Sequence, residues 1–162
     1  MQKLTVLNTR EKKKIIDDLK ELYGFSGIIG GALLISSKQK LYLLTKDIVM
    51  IEKNEEKELR IDSAGLYIGR IENEGIRLSM EGSQLIGPHS NKHVLEIDEE
   101  HLEAWVKGED FNLSEQEQKK ISNEEGFFII KFDNDYIGCA QIKKGNVRSL
   151  VSKERRLKVL NR

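Results

Sequence analysis

The sequence contains little cysteine or proline, few aromatic residues and no long apolar run. Cys139 is the only cysteine among 162 residues, so an internal disulfide is excluded and a reducing compartment is expected. No apolar run approaches the roughly 20 residues that a membrane-spanning helix needs. The first residues lack the apolar stretch of a secretion signal. We therefore expect a cytoplasmic protein with no membrane partner.

Residues that could bind a metal are also few. His89 and His93 are four apart but follow Gly87-Pro88 in a predicted loop, whereas a pair with this spacing binds metal well on a helix. With His101 as the third histidine and no nearby cysteine, we predict surface histidines and no metal site.

Motifs for a cofactor or a nucleophile are equally weak. The glycines between Gly24 and Gly31 follow a predicted helix and precede a strand, which reverses the order of a dinucleotide-binding loop. They favour a turn with close backbone approach over phosphate binding. Cys139 lies inside an apolar strand, and Trp105 lies on the apolar face of a helix. Both residues are predicted to pack in the core rather than to react or to stack on a base.

The net charge is zero, with 27 basic and 27 acidic residues, but the two signs are separated along the chain. From Ile142 to Arg162 there are eight basic residues and one acidic residue, a local charge of +7, so the remainder carries −7. Between Glu96 and Glu125 there are eleven acids and three lysines. A cationic end is typical of a surface for a polyanion, and a basic terminus that only aids solubility is the alternative.

Hydrophobic periodicity predicts an α/β segment followed by short strands and turns. Thr9 is expected to cap the first helix and Gly24 to end it, and Lys12, Lys13 and Lys14 are expected on its solvated face. The other predicted elements are strands at 32–35 and 41–44, a short element at 47–57, a hairpin at 66–78, helices after Ser79 and Asp98, an exposed loop at 109–125, and strands at 94–97, 126–132, 136–143, 147–151 and 156–160. A weak domain boundary is expected near Asp62-Ser63.

Assigning the basic C-terminal residues to strands predicts which of their side chains point outward. If Val147 faces the core, Arg148 points outward on the same strand. The segment 152–156 then forms a basic corner beside Lys143 and Lys144, where cations could contact phosphates. A solvated strand edge protected by charge is the alternative. The predicted RNA-binding residues are Lys143, Lys144, Arg148, Lys153, Arg155, Arg156 and Lys158.

Several segments together resemble a known RNA-binding module. They are Ala64-Gly65-Leu66-Tyr67-Ile68-Gly69, Trp105-Val106-Lys107-Gly108-Glu109, Gly126-Phe127-Phe128-Ile129-Ile130-Lys131, Tyr136-Ile137-Gly138, Lys144-Gly145-Asn146-Val147-Arg148 and Ser152-Lys153-Glu154-Arg155-Arg156. From about Ser63 to Leu160 the chain resembles the PUA-like domain at the C-terminus of Sun-family RNA 5-methylcytosine methyltransferases. It departs from that pattern at Ala140, Gln141 and Ser152, where glycine, lysine and proline are usual.

The resemblance implies a two-domain α+β protein, with a small α/β N-terminal domain at 1–62 and a PUA-like β pseudo-barrel at 63–162. The N-terminal part is similar in layout to the α/β domain that precedes PUA modules in stand-alone ribosome-assembly proteins. Methyl transfer in the Sun family needs two cysteines, and this sequence has one. We therefore expect no enzyme activity and no cofactor.

The expected function is binding of structured rRNA or tRNA during maturation, modification or ribosome assembly. An adaptor that docks an RNA-modifying methyltransferase or a ribosomal protein through its acidic 96–125 surface is the alternative. An enzyme that acts on RNA ranks third.

Overall fold

The computed structural model describes residues 3–44 and 65–155, which form two five-stranded sheets and four α-helices. The strands are β1 (Leu4–Val6), β2 (Ala32–Ser36), β3 (Lys40–Leu44), β4 (Leu66–Glu72), β5 (Gly75–Leu78), β6 (Val94–Glu96), β7 (Phe111–Asn112), β8 (Gly126–Phe132), β9 (Asp135–Lys143) and β10 (Asn146–Ser149). The helices are α1 (Thr9–Tyr23), α2 (Met80–Ile86), α3 (Glu99–Lys107) and α4 (Glu115–Lys120), with 3₁₀ turns at Gly87–His89 and Lys153–Arg155. The predicted α+β class is confirmed.

The N-cap of helix α1 is Asn8, one residue before the predicted cap Thr9. The side chain of Asn8, rather than that of Thr9, accepts the backbone N–H of Glu11 at 2.8 Å, and the Glu11 carboxylate accepts the Asn8 N–H at 2.8 Å. This reciprocal pair satisfies two backbone donors that the first turn would leave open. Gly24 ends the helix in the left-handed conformation, as predicted.

The first sheet is an antiparallel meander in the order β1-β2-β3-β4-β5. The predicted strands at 32–35 and 41–44 and the hairpin at 66–78 are all present, while β1 was not anticipated. A tight turn at Asn73-Glu74 joins β4 to β5 and places Arg70 directly opposite Arg77. A register shift between Leu41 and Tyr42 inserts one extra residue of β4 into its pairing with β3.

The second sheet has the order β6-β8-β9-β10-β7, in which β6 and β8 are parallel and the other pairs antiparallel. The prediction of an exposed loop at 109–125 is wrong, because this segment contains β7 and α4. Phe111 and Leu113 are buried, and Ser114 caps α4 with a capping box. Two apolar anchors and a satisfied helix N-terminus hold this polar segment against the sheet.

The core lies on both faces of the second sheet. Phe127 and Ile129 of β8 pack into a cluster with α1 and with the inner face of the first sheet. Phe128 and Ile130 face the opposite way and pack against Trp105 of α3. Strand side chains alternate in direction, so a continuous apolar run is buried only where both faces of its strand are covered.

Elements from both sides of the predicted domain boundary contribute to one sheet. Strands β4 and β5, assigned from sequence to the second domain, continue the first sheet through the pairing of β3 with β4. The boundary near Asp62-Ser63, the element at 47–57 and the strand at 156–160 lie outside the described residues. The division into 1–62 and 63–162 stays a prediction.

Candidate nucleic-acid interface

The cations predicted to bind RNA are exposed wherever the structure describes them. Lys143 ends β9, Lys144 lies in the turn to β10, and Arg148 stands opposite Gln141 on β10. The predicted outward orientation of Arg148 is confirmed, because Val147 and Ser149 on either side of it are buried. Arg156 and Lys158 lie outside the described residues.

The expected corner of Lys153 and Arg155 beside Lys143-Lys144 is wrong. Because β10 runs antiparallel to β9, the chain after Ser149 leads away from the turn at Lys144. Arg155 donates instead to the carboxylate of Glu81 and lies 3.2 Å from Sδ of Met80, at the start of α2. Gly138 of β9 adjoins the cavity that Arg155 lines, and five strand steps of about 3.4 Å separate it from Lys143, about 17 Å in all. The cations therefore form two groups rather than one. The first group contains Lys143, Lys144 and Arg148, and the second contains Lys153 and Arg155.

A cleft between the two sheets lies beside Arg155. It encloses about 280 Å³ and runs between the β4–β5 hairpin, the start of α2, β9 and the segment that follows β10. The polar residues that line it are Tyr67, Arg77, Ser79, Glu81 and Arg155, and Gly138 also borders it. Ser79 fixes the geometry, because its hydroxyl donates to the Tyr67 carbonyl at 2.6 Å and accepts the Gly82 N–H at 2.9 Å.

Carboxylates partly neutralise the two guanidinium groups of the cleft. Arg77 lies 3.5 Å from Glu72 with 39% of its side chain exposed, and Arg155 pairs with Glu81 with 45% exposed. Partial desolvation raises the pKa of Glu81, but hydrogen bonds from Arg155 and from its own backbone outweigh this effect and lower the pKa overall. Burial raises the pKa of Tyr67 against the opposing effect of Arg77, so its hydroxyl stays protonated as a donor.

Sequence reasoning missed Tyr67, Arg77 and Glu81 as residues of this cleft. The hairpin prediction contained a usable signal, since a tight turn at Asn73-Glu74 fixes which residues of the two strands stand opposite each other. The approach of β5 to β9 was not visible, because it brings together residues about sixty positions apart.

The prediction of surface histidines is wrong for His93 and His101, whose side chains are only 13% and 15% exposed. His93 stacks on Phe128 with ring centroids 4.2 Å apart, and its Nε2 lies 2.9 Å from Glu124. The ring of each histidine covers an apolar neighbour while one nitrogen reaches a carboxylate.

His101 repeats this arrangement. It stacks on Phe111 at 4.4 Å, and its Nε2 lies 3.2 Å from Glu117 of α4. His93 therefore joins the end of the acidic 109–125 segment to β8 of the second sheet, and His101 joins the same segment to α3. Within residues 3–44 and 65–155, no three His, Cys, Asp or Glu side chains are grouped as metal ligands would be.

The other residues singled out from sequence have structural settings. Cys139 and Trp105 are buried, as predicted, and burial raises the pKa of the Cys139 thiol to about 11. A close backbone approach is confirmed at Gly31, where a side chain would collide with the carbonyl oxygen of Leu44. Lys12 is not free on the solvated face, because its ammonium donates to the carbonyls of Ile29 and Gly31 at 2.9 and 2.7 Å.

Comparison with known proteins supports the interpretation of the C-terminal part. Residues 92–157, about two fifths of the chain, match the family described as the PUA domain of methyltransferase RsmF. The predicted PUA-like resemblance is thereby confirmed for this segment, which begins at Lys92 rather than at Ser63. No curated protein matches the chain.

No helix in the described parts is long and apolar enough to span a membrane.

Proposed function

We propose that this protein binds structured RNA through its PUA-like segment without transforming it chemically. The observation that carries the proposal is that the segment matching an RNA methyltransferase PUA domain also displays exposed cations on rigid elements. These are Lys143, Lys144, Arg148, Lys153 and Arg155. PUA domains generally bind RNA, and lysine and arginine held on strands can contact successive phosphates.

The arrangement of the cations suggests how RNA is held. The two groups lie towards opposite ends of β9, so they can contact phosphates on separate parts of a folded RNA. Arg77 and Arg155 border the cleft between the sheets and add guanidinium donors that can form bidentate contacts with phosphate. The shape of the RNA and contacts to its phosphate backbone, rather than contacts to base edges, would then determine which RNA is bound.

The absence of a catalytic role is also a proposal. Cys139 is buried, and its thiol pKa of about 11 leaves almost no thiolate near neutral pH. A buried thiol of this kind is unsuited to covalent catalysis. We infer that the protein acts in the cytoplasm on rRNA or tRNA, during maturation, modification or ribosome assembly, as a binding component.

The test is the salt dependence of RNA binding. The purified chain is titrated into a labelled RNA hairpin, and the dissociation constant is measured by fluorescence anisotropy at several salt concentrations. If about five phosphates are contacted, affinity falls by more than about tenfold between 50 and 200 mM salt, because bound counterions are released. Affinity that stays equal across this range would refute phosphate-based binding.

A second candidate function is an adaptor that docks a methyltransferase or ribosomal protein through the acidic 96–125 surface. Glu99, Glu100 and Glu115 are exposed at the starts of α3 and α4 and support it. Glu117 and Glu124 are already paired with histidines of the same chain, which reduces the charge available to a partner. The adaptor hypothesis predicts that Glu99→Gln/Glu100→Gln abolishes partner capture without changing RNA affinity.

A further inference from the structure

The outer face of the first sheet carries two tyrosines beside a row of cations. Tyr42 and Tyr67 are cross-strand neighbours on β3 and β4, with ring centroids 5.5 Å apart and ring planes at 46°. Both residues are half-buried, and Tyr42 packs beside the buried Leu34 and Leu44 on the same face. Tyr67 also lines the cleft between the sheets, and this face therefore continues into the site described above.

Three cations from three adjacent strands stand in line beside these tyrosines. The register places Lys40 opposite Arg70 and Arg70 opposite Arg77. The ammonium of Lys40 lies 5.7 Å from the centroid of the Tyr67 ring, which places the cations and the tyrosines on the same face. Neighbouring strands lie about 4.8 Å apart, so the row spans about 10 Å.

This row costs stability in the free protein. Like charges directly opposite each other on a sheet are destabilising, and Arg70 has both its cross-strand neighbours positive. Glu72 lies 3.5 Å from Arg77, but in the described part of the chain no carboxylate is within ion-pairing distance of Arg70 or Lys40. An anionic ligand would relieve this repulsion.

We propose that this face, formed by Lys40, Tyr42, Tyr67, Arg70 and Arg77, binds an unpaired RNA segment adjoining the structured region held by the PUA-like part. Aromatic rings stack on bases of any sequence, and interleaved cations follow the phosphates. An acidic protein segment would satisfy the cations but has no planar bases for the tyrosines. The inference rests on the proposed function and extends it from duplex binding to recognition of a junction between paired and unpaired RNA.

The test compares two RNAs that share one hairpin. One is blunt and the other carries a single-stranded tail of about six nucleotides, a length within the range of known single-strand sites. Affinities of the full chain are measured by fluorescence anisotropy at fixed salt. We expect the tail to strengthen binding by about tenfold or more, and Tyr42→Leu to remove most of that gain while blunt-hairpin affinity stays within about twofold.

Arg70→Gln provides a second test that does not alter the aromatic pair, should Tyr42→Leu fail to fold. It is compared with Arg10→Gln, which removes an exposed charge from α1. Arg70→Gln should weaken tailed-RNA binding by about fivefold, retain or raise the melting temperature, and leave the blunt hairpin unaffected. Arg10→Gln should change neither affinity.

The outcomes separate this inference from the proposed function. A blunt hairpin that binds while the tail adds nothing, or a tail gain that survives both Tyr42→Leu and Arg70→Gln, overturns the inference alone. A tail of abasic nucleotides that binds as tightly as the base-bearing tail also overturns it, since the site would then recognise only negative charge. If neither RNA binds, the inference and the proposed function fail together.

Discussion

The two sheets use their faces differently. The first sheet packs its inner face against α1 and carries Lys40, Arg70 and Arg77 on its outer face. The second sheet buries both faces of β8. Its cations predicted to bind RNA lie at the end of β9, in the β9–β10 turn, on β10 and in the segment after β10, and β8 itself carries Lys131. The outer face of the first sheet is also partly buried, at Leu34 and Leu44, but its cations form a row across three strands. A doubly covered strand such as β8 leaves mainly the ends and edges of the sheet to a ligand.

The sharpest test of this contrast is to truncate adjacent phenylalanines of β8. Phe127→Ala and Phe128→Ala should each lower the free energy of unfolding by about 3–5 kcal/mol, because each removes a buried ring and leaves a cavity. Urea unfolding monitored by circular dichroism measures both. Arg70→Ala on the first sheet serves as the control and should change stability by less than about 0.5 kcal/mol. One phenylalanine variant as stable as the wild type would show that its face of the second sheet is not packed.

A smaller effect is expected at the His101–Glu117 pair, which fastens α4 to α3. Partial desolvation raises the pKa of Glu117, but hydrogen bonds within its capping box and the nearby His101 outweigh it and lower the pKa overall. Because the folded-state pKa lies below the unfolded value, the carboxylate stabilises the fold above the unfolded pKa. This contribution disappears as the pH falls through the folded pKa.

Glu117→Gln should therefore cost about 1 kcal/mol or less at pH 6, since the pair is partly exposed, and the difference from wild type should shrink towards pH 3. Urea midpoints across this pH range measure the effect. Glu115→Gln removes an exposed charge from the same helix and should show a smaller difference. A difference that grows as the pH falls would contradict the assigned role of the carboxylate.

Local sequence patterns predicted helix α1 and most strands of both sheets. Helix α1, the β4–β5 hairpin and strands β8 and β9 follow from periodicity and turn residues within a few positions. Strand β7 was missed because it has two residues and pairs with β10, where Asn112 stands opposite Asn146, 34 positions away. No local pattern encodes such a contact, and the acidic composition around it favoured a loop.

The candidate site was only partly visible for the same reason. The cations of the C-terminal segment could be identified, and the exposure of Arg148 followed from strand alternation. Their division into two groups depends on the direction of β10 relative to β9 and on the contact between Arg155 and Glu81, which are 74 positions apart. The burial of His93 likewise depends on an aromatic partner from a distant strand, Phe128 of β8.

The central claim is that RNA is bound through cations on the second sheet, and a matched pair of charge-removal variants tests it most directly. Arg148→Ala/Lys153→Ala removes two exposed charges from the PUA-like segment, and Lys13→Ala/Lys20→Ala removes two from the exposed side of α1. Hairpin-RNA affinity is measured by fluorescence anisotropy against salt, after circular dichroism confirms that both variants fold. The first variant should bind more weakly and lower the slope of log affinity against log salt by roughly two units, while the second should match the wild type. Equal slopes for the wild type and the first variant, or a larger loss in the second, would contradict RNA binding through these cations.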